Sequence, residues 1–332
     1  PFFLYFCPSD PHRGGGVDKT FDGPHKPDLF GNLPDKKSHP GVKEIFYDPA
    51  KVIVPPFLPD TPESRAEIAN YYQSCSRIDD GLGHLVALLK ETGQWENTVL
   101  IFTADHGMAF PGAKTTVYEA GLRVPFVVYD PRLKKRGLVN QALISHADLT
   151  PTILHIAGGY NAKRNAPIKP ISYEKVGAGE NSGKLPKRYH GRSWLPILSE
   201  TNPKGWNSAV ASHTFHEIQM YYPMRSYRDR NYKIIWNIAH HQPYPFASDL
   251  WVAATWQAQW TKGKDAPYGK RTIDSYIHRP AFELFDISSD PNETRNLAEM
   301  PEHAELLKRY QEKLKSAQKE TGDPWIMKWR YE

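Results

Sequence analysis

The amino-acid sequence predicts an α/β fold, a sheet covered by helices on both faces, followed by a smaller α+β subdomain containing an antiparallel sheet. Three observations predict it. The apolar runs 2–6, 99–103 and 124–129 are short and rich in β-branched or aromatic residues, as strands buried on both faces are. A long helical pattern separates the first two, so strand, helix and strand alternate. After Trp206 the texture changes to brief strand candidates divided by turn signals. The expected division is 1–205 for the α/β domain and 206–332 for the subdomain.

Each element follows from local chemistry. Phe2–Phe6 reads as a buried strand, and a chain opening on Pro1 directly before it reads as a fragment or a processed product. Residues 14–60 are rich in Gly, Pro and Lys without periodicity, a loop long enough to border an active site. A helix starts at Pro62-Glu63 and carries Ile68, Tyr72, Cys75, Ile78, Leu82, Leu85 and Leu89 at three- and four-residue steps, with Gly93 as its stop. Val99–Thr103 and Val124–Tyr129 follow as strands. Asp148 reads as the N-cap of a second helix, with Pro151 in its first turn. Residues 159–192 form another loop. The subdomain offers strands at Ala209–Ser212, Tyr232–Trp236 and Phe282–Phe285 and a polar helix from about Glu302 to Thr321.

Composition excludes several classes. With 39% hydrophobic and 24% charged residues over 332 positions, the chain can bury a core and is not disordered. Its apolar runs fall far short of the ~18 residues of a spanning helix, so no membrane role is expected. Cys7 and Cys75 are too few for a disulfide scaffold. The net charge of +5 is spread along the chain, an ordinary solvated surface or a basic cleft for an anion. No basic stripe or RNA-binding motif points to nucleic acid.

In open α/β sheets ligands sit beyond the carboxyl ends of strands. There Phe2–Phe6 runs into Ser9-Asp10-Pro11-His12-Arg13, and Val99–Thr103 into Ala104-Asp105-His106-Gly107. Each end delivers an acid and an imidazole. Asp105 and His106 suit a hard or borderline cation, or are a turn acid beside a surface His. Lys114, on a loop with Pro111 and Gly112, either clamps an anion or is a solvated lysine. Glu119 and Arg123, four apart, read as a pair holding the turn before the next strand.

In order and spacing, Thr103-Ala104-Asp105-His106-Gly107, Lys114, Tyr118-Glu119-Ala120-Gly121-Leu122-Arg123-Val124-Pro125 and Ser145-His146-Ala147-Asp148-Leu149-Thr150-Pro151-Thr152 resemble the sulfatase family of the alkaline-phosphatase-like superfamily. Within it the likeness is greatest to members that cleave sulfamates, through 1–5 with 10–13, 57–62, 216–226 and 283–297. The resemblance implies an α/β/α sandwich, here incomplete at its N-terminus, and hydrolysis of a sulfate ester or sulfamate on a sulfated sugar, first of all N-sulfoglucosamine at a heparan-type chain end. It implies a calcium ion and a formylglycine nucleophile made from Cys in Cys-x-Pro-Ser-Arg. It puts Asp105 and His106 at calcium positions, Lys114 on a sulfate oxygen and His12 as proton donor to the leaving group. Arg13, His216, Glu217 and Arg225 are expected at the sugar, with Glu217 and Arg225 alternatively a structural pair.

Departures accompany the likeness. Cys7-Pro8-Ser9-Asp10 is not the formylglycine motif, Cys75 sits in a helix, and the family's N-terminal acidic pair is not in these 332 residues. The chain therefore resembles the C-terminal two-thirds of a sulfatase and is expected to be inactive alone, with an exposed sheet edge. An O-sulfatase on another glycan, a phosphate- or phosphonate-ester hydrolase of the same superfamily and a non-catalytic sugar-binding remnant are the alternatives. The resemblance implies a periplasmic or secreted enzyme, or a lysosomal one, and a homodimer is open. The sequon Asn292-Glu293-Thr294 points to secretion.

Overall fold

The computed structural model describes residues 1–31, 40–168, 188–217 and 220–331. In chain order the strands and helices begin with β1 (Arg13–Val17), β2 (Asp28–Phe30), α1 (Pro62–Glu91), β3 (Leu100–Thr103), α2 (Glu119–Leu122) and β4 (Phe126–Tyr129). Then come α3 (Leu149–Ile156), β5 (Tyr160–Asn161), β6 (Ala166–Pro167), β7 (Ser208–His216), β8 (Met220–Asp229) and β9 (Tyr232–Asn237). The chain ends with α4 (Ser248–Trp251), α5 (Ala254–Trp260), β10 (Pro267–Tyr268), β11 (Arg271–Thr272), α6 (Ile273–Ile277), β12 (Phe282–Asp286) and α7 (Ala304–Thr321).

Two compact units share these elements. The first comprises 1–131, 211–226 and 231–310, the second 132–210, 227–230 and 311–332. In the first, α1 starts where Thr61 accepts a hydrogen bond from the Ser64 amide at 3.2 Å, with Pro62 in the first turn, and stops before Gly93 at φ 68°. Its most buried stripe is not the apolar one. Ser64, Glu67, Ser74 and Arg77 are buried, whereas Ile78, Leu82 and Leu85 are half-buried. Beside Ile68 the stripe carries an acid and a base, each with an internal partner.

The antiparallel sheet has the order β12-β9-β8-β7. Phe282 faces Trp236, Leu284 faces Ile234 and Asp286 faces Tyr232 in the β12–β9 pair. Met220, Tyr222, Met224, Ile235 and Phe285 join Trp256 and Tyr276 in the core. The three expected subdomain strands are β7, β9 and β12; β9 and β12 each run one residue further than expected, β7 runs from Ser208 to His216 in place of Ala209–Ser212, and β8 is an addition. Because β9 is covered on both faces, Lys233 lies fully buried, its ammonium 3.2 Å from Glu119 and 2.9 Å from Glu293. Glu119 is thus held by Lys233 of β9, and its link to Arg123 is the backbone bond of one helical turn, at 2.7 Å.

Two further expectations are corrected. Phe2–Phe6 forms no strand and all five side chains are exposed, so apolar content alone misread it. β3 and β4 pair antiparallel, Leu100 with Tyr129 and Thr103 with Phe126, and are half-buried rather than covered on both faces. In the second unit α3 begins at Leu149, directly after Asp148 as expected, but the Asp148 side chain does not cap it. Ser145 caps a short 3-10 turn, and Asp148 returns a bond to the Ser145 amide at 2.8 Å, completing a capping box. Part of the expected 14–60 loop is the β1–β2 hairpin, while 32–39 and 169–187 lie outside the described residues.

Candidate functional site

The site in the first unit is built around glycine contacts. A Cβ on Gly107 would lie 1.7 Å from the Ala120 carbonyl oxygen, and one on Gly121 would lie 2.4 Å from that of Ala113. Only glycine lets the Asp105-His106-Gly107 turn, the Lys114 loop and α2 meet this closely. The Gly107 amide bonds the Gly121 carbonyl at 2.9 Å and seals the contact. The motifs at 103–107 and 118–125 are therefore one structural unit, with Lys114 between them.

Asp105 leaves β3 with its carboxylate 87% exposed. His106 Nδ1 lies 2.7 Å from the Gly107 carbonyl oxygen, and a carbonyl only accepts, so Nδ1 donates there. Nε2 stands 3.7 Å from Asp105 Oδ2. Lys114 is buried, and its ammonium donates to Asp249 Oδ2 of α4 at 2.7 Å. Asp249 Oδ1 is buried without a hydrogen-bond partner among the described residues. One step along α4, Ser248 donates to Glu217 through its hydroxyl at 3.0 Å and its amide at 3.2 Å. Glu217 sits in the left-handed region at φ 53°, with His216 Nε2 3.8 Å away. The structure thus links Lys114, Asp249, Ser248, Glu217 and His216 in a chain of polar contacts.

The other expected residues go elsewhere. Arg13 is buried over the rings of Phe30 and Phe110. It donates to both Glu67 oxygens at 2.9 and 3.0 Å, to Asp28 at 2.6 Å and to the Ala109 carbonyl at 2.5 Å. That engagement gives it a structural task in place of the expected sugar contact. Two acids share this guanidinium, and burial together with Glu67 pushes the Asp28 carboxyl up to about 6, against the pull of Arg13. Arg225 is buried and reaches back to the carbonyls of Met224 at 2.8 Å and His213 at 3.1 Å, bracing β7 against β8. His12 is exposed at the entrance to β1, with Nδ1 against the Arg13 carbonyl, which leaves Nε2 for proton exchange. Asp249 and Ser248 were not foreseen. Ser-Asp-Leu-Trp matches no motif, and only Lys114 reaching α4 reveals them.

Calcium takes about six to eight oxygen ligands. Here one exposed carboxylate stands beside one imidazole, and among the described residues no group of three or more His, Cys, Asp or Glu converges. This pair alone does not make up a calcium shell. Cys7 is exposed and Cys75 is a half-buried helix residue whose thiol burial pushes up, so neither has the sequence or the setting of a formylglycine precursor.

The fold is of the alkaline-phosphatase-like type. The chain resembles a structure solved with its substrate D-glucosamine-2-N,6-O-disulfate at TM-score 0.53 and 19% identity, over 80% of this chain and 44% of that one. It resembles the phosphonate monoester hydrolase of Silicibacter pomeroyi at TM-score 0.50 and 22% identity, over 82% and 45%. The sulfatase family model matches residues 1–160 of the chain. The chain is 36% identical to the N-sulphoglucosamine sulphohydrolase of Homo sapiens over 98% of its own length and 62% of that protein's. It thus spans about three fifths of the length of that relative.

Proposed function

We propose that the whole protein is a sulfatase that releases sulfate from a sulfated sugar, with N-sulfoglucosamine at a chain end as the preferred substrate. The observation that carries this reading is the 36% identity to the human sulphohydrolase, which runs along 98% of the chain. The geometry supports it. A buried lysine with one acidic partner is a cation ready to exchange that partner for a sulfate oxygen. His12, with Nε2 as its exchangeable atom, suits protonation of a departing amine. Asp105 is the calcium ligand that this chain supplies, with the remaining ligands and the formylglycine nucleophile assigned to the part of the relatives' length that it does not span. We place the protein in the periplasm or outside the cell, or in a lysosome. Among the described residues no helix is long and apolar enough to cross a membrane.

The test is sulfate release by the whole protein from N-sulfoglucosamine and 6-O-sulfated N-acetylglucosamine, beside hydrolysis of an aryl phosphonate. The expected order places the sulfamate first by a wide margin. Preference for the O-sulfated sugar removes the sulfamate assignment and keeps the sulfatase one. Preference for the phosphonate removes both and favours the second reading, which the likeness to the Silicibacter hydrolase supports.

A further inference from the structure

On the outer side of α4 lies an open cleft of about 520 Å³, within the roughly 300–1,000 Å³ of small-ligand sites. Tyr244, Phe246, Ser248, Trp251, Trp260 and Ile277 line it. Trp251 and Trp260 are 39% and 38% exposed, an unfavourable state for large apolar rings that nothing in their own packing explains. Their planes meet at 62° with centroids 5.3 Å apart, which forms a corner. Fully buried Trp256 backs it, stacked on Trp260 at 6.1 Å and 4.4 Å from Phe246, so the exposed rings are braced. The Gln257 amide fastens the Trp251 carbonyl at 2.7 Å.

The cleft is lined mostly by apolar groups, with Ser248 at its polar point. Ser248 is on the wall, and its hydroxyl and amide are the groups that Glu217 holds. Its neighbour Asp249 turns the other way, to Lys114. One short helix therefore carries the lysine's partner on one side and an aromatic corner with a hydroxyl-bearing edge on the other. A pyranose has this double character. Its axial C–H face packs on an aromatic ring, and its equatorial hydroxyls point sideways to polar groups.

We infer that this cleft is a second sugar subsite, in which Trp251 and Trp260 stack the ring that follows the sulfated one in a glycan. The inference rests on the proposed sulfated-sugar substrate and extends it from one ring to at least two. Preformed rings lose little entropy on binding, so the subsite adds affinity without chain rearrangement.

Two probes keep this separate from the parent reading. The first is an unsulfated tetrasaccharide of alternating glucuronic acid and N-acetylglucosamine, titrated into the full chain by calorimetry and tryptophan fluorescence. The second is N-sulfoglucosamine alone. The tetrasaccharide should shift the fluorescence, and saturation of the indole protons in the unmodified chain should transfer to its axial C–H protons. Trp251→Ala and Trp260→Ala should each weaken it about tenfold, Trp251→Phe much less, and none should alter binding of the monosaccharide. Absence of tetrasaccharide binding at millimolar concentration overturns the subsite, as does binding indifferent to both tryptophans or without saturation transfer. Failure of the whole protein to release sulfate from any sugar, with tetrasaccharide binding intact, overturns the parent reading alone.

Discussion

An unpaired buried ammonium costs several kcal/mol, and Lys114 offsets that cost with the Asp249 carboxylate at 2.7 Å. The same carboxylate keeps the lysine from a bound anion unless a sulfate oxygen displaces it. In the whole protein, Lys114→Ala should lower turnover about 100-fold or more, and Lys114→Arg should keep part of it. Near-normal turnover in the Ala variant, measured as sulfate release, removes Lys114 from the reaction. Asp105 makes a separate prediction. Its carboxylate is exposed at the end of β3, where an oxygen ligand can meet a cation. Calcium should raise the melting temperature of the whole protein and should not raise that of Asp105→Ala. An equal rise in both strikes Asp105 from the metal site. These residues were legible because the family's motifs are tight turns in which glycine is obligatory, so order and spacing survive in the sequence. Asp249 was not, because its relation to Lys114 spans 135 positions and no local pattern records it.

At the scale of elements, the sequence told where helices and strands lie better than what they bury. The length of α1 was visible in its cap, its period and Gly93. Its buried polar stripe was not, because Glu67 and Arg77 look like solvated residues until Arg13 and Asp10 arrive from distant segments. The Phe2–Phe6 run erred in the opposite direction, apolar and yet exposed. The Arg13 cluster allows a pH prediction. Asp28 has its folded carboxyl raised to about 6 from an ordinary value near 3.8, so the native state holds this proton more tightly than the unfolded chain does. Its stabilising contribution is complete below about pH 4 and is lost as pH rises through about 6, a difference of about 2–3 kcal/mol. In urea titrations from pH 4 to 7, wild type should lose its stability relative to Asp28→Asn by about that amount. A difference that stays level or grows with pH shows instead that Arg13 keeps Asp28 charged throughout.

For the molecule as a whole, the proposed function raises the question of how a common hydrolytic core would select a sugar. A shared chemistry cannot supply selectivity, so it must come from residues beyond the reacting atoms. The structure points to the α4 turn, where Glu217 grips Ser248, Asp249 grips Lys114 and Trp251 faces the aromatic cleft. Glu217 is exposed at the outer end of this chain of contacts and held at φ 53°, a conformation that non-glycine residues adopt rarely. Arg225 also bonds the carbonyls of Met224 and His213, and the acid holds Ser248 of α4. Two roles remain for Glu217, and they separate kinetically. If its carboxylate hydrogen-bonds the sugar hydroxyls, Glu217→Ala should raise KM or lower kcat on N-sulfoglucosamine and spare a small aryl sulfate, which has no hydroxyls to read. If its task is only to hold α4, and through Asp249 to set Lys114, both substrates should suffer alike, because both present the same sulfate to Lys114. Glu217→Gln sharpens the contrast. The amide oxygen can still accept from Ser248 and so preserve α4, while the charge that favours donation from a sugar hydroxyl is gone. A Gln variant normal on the aryl sulfate and impaired on the sugar therefore assigns Glu217 to recognition, and one normal on both assigns it to the positioning of α4.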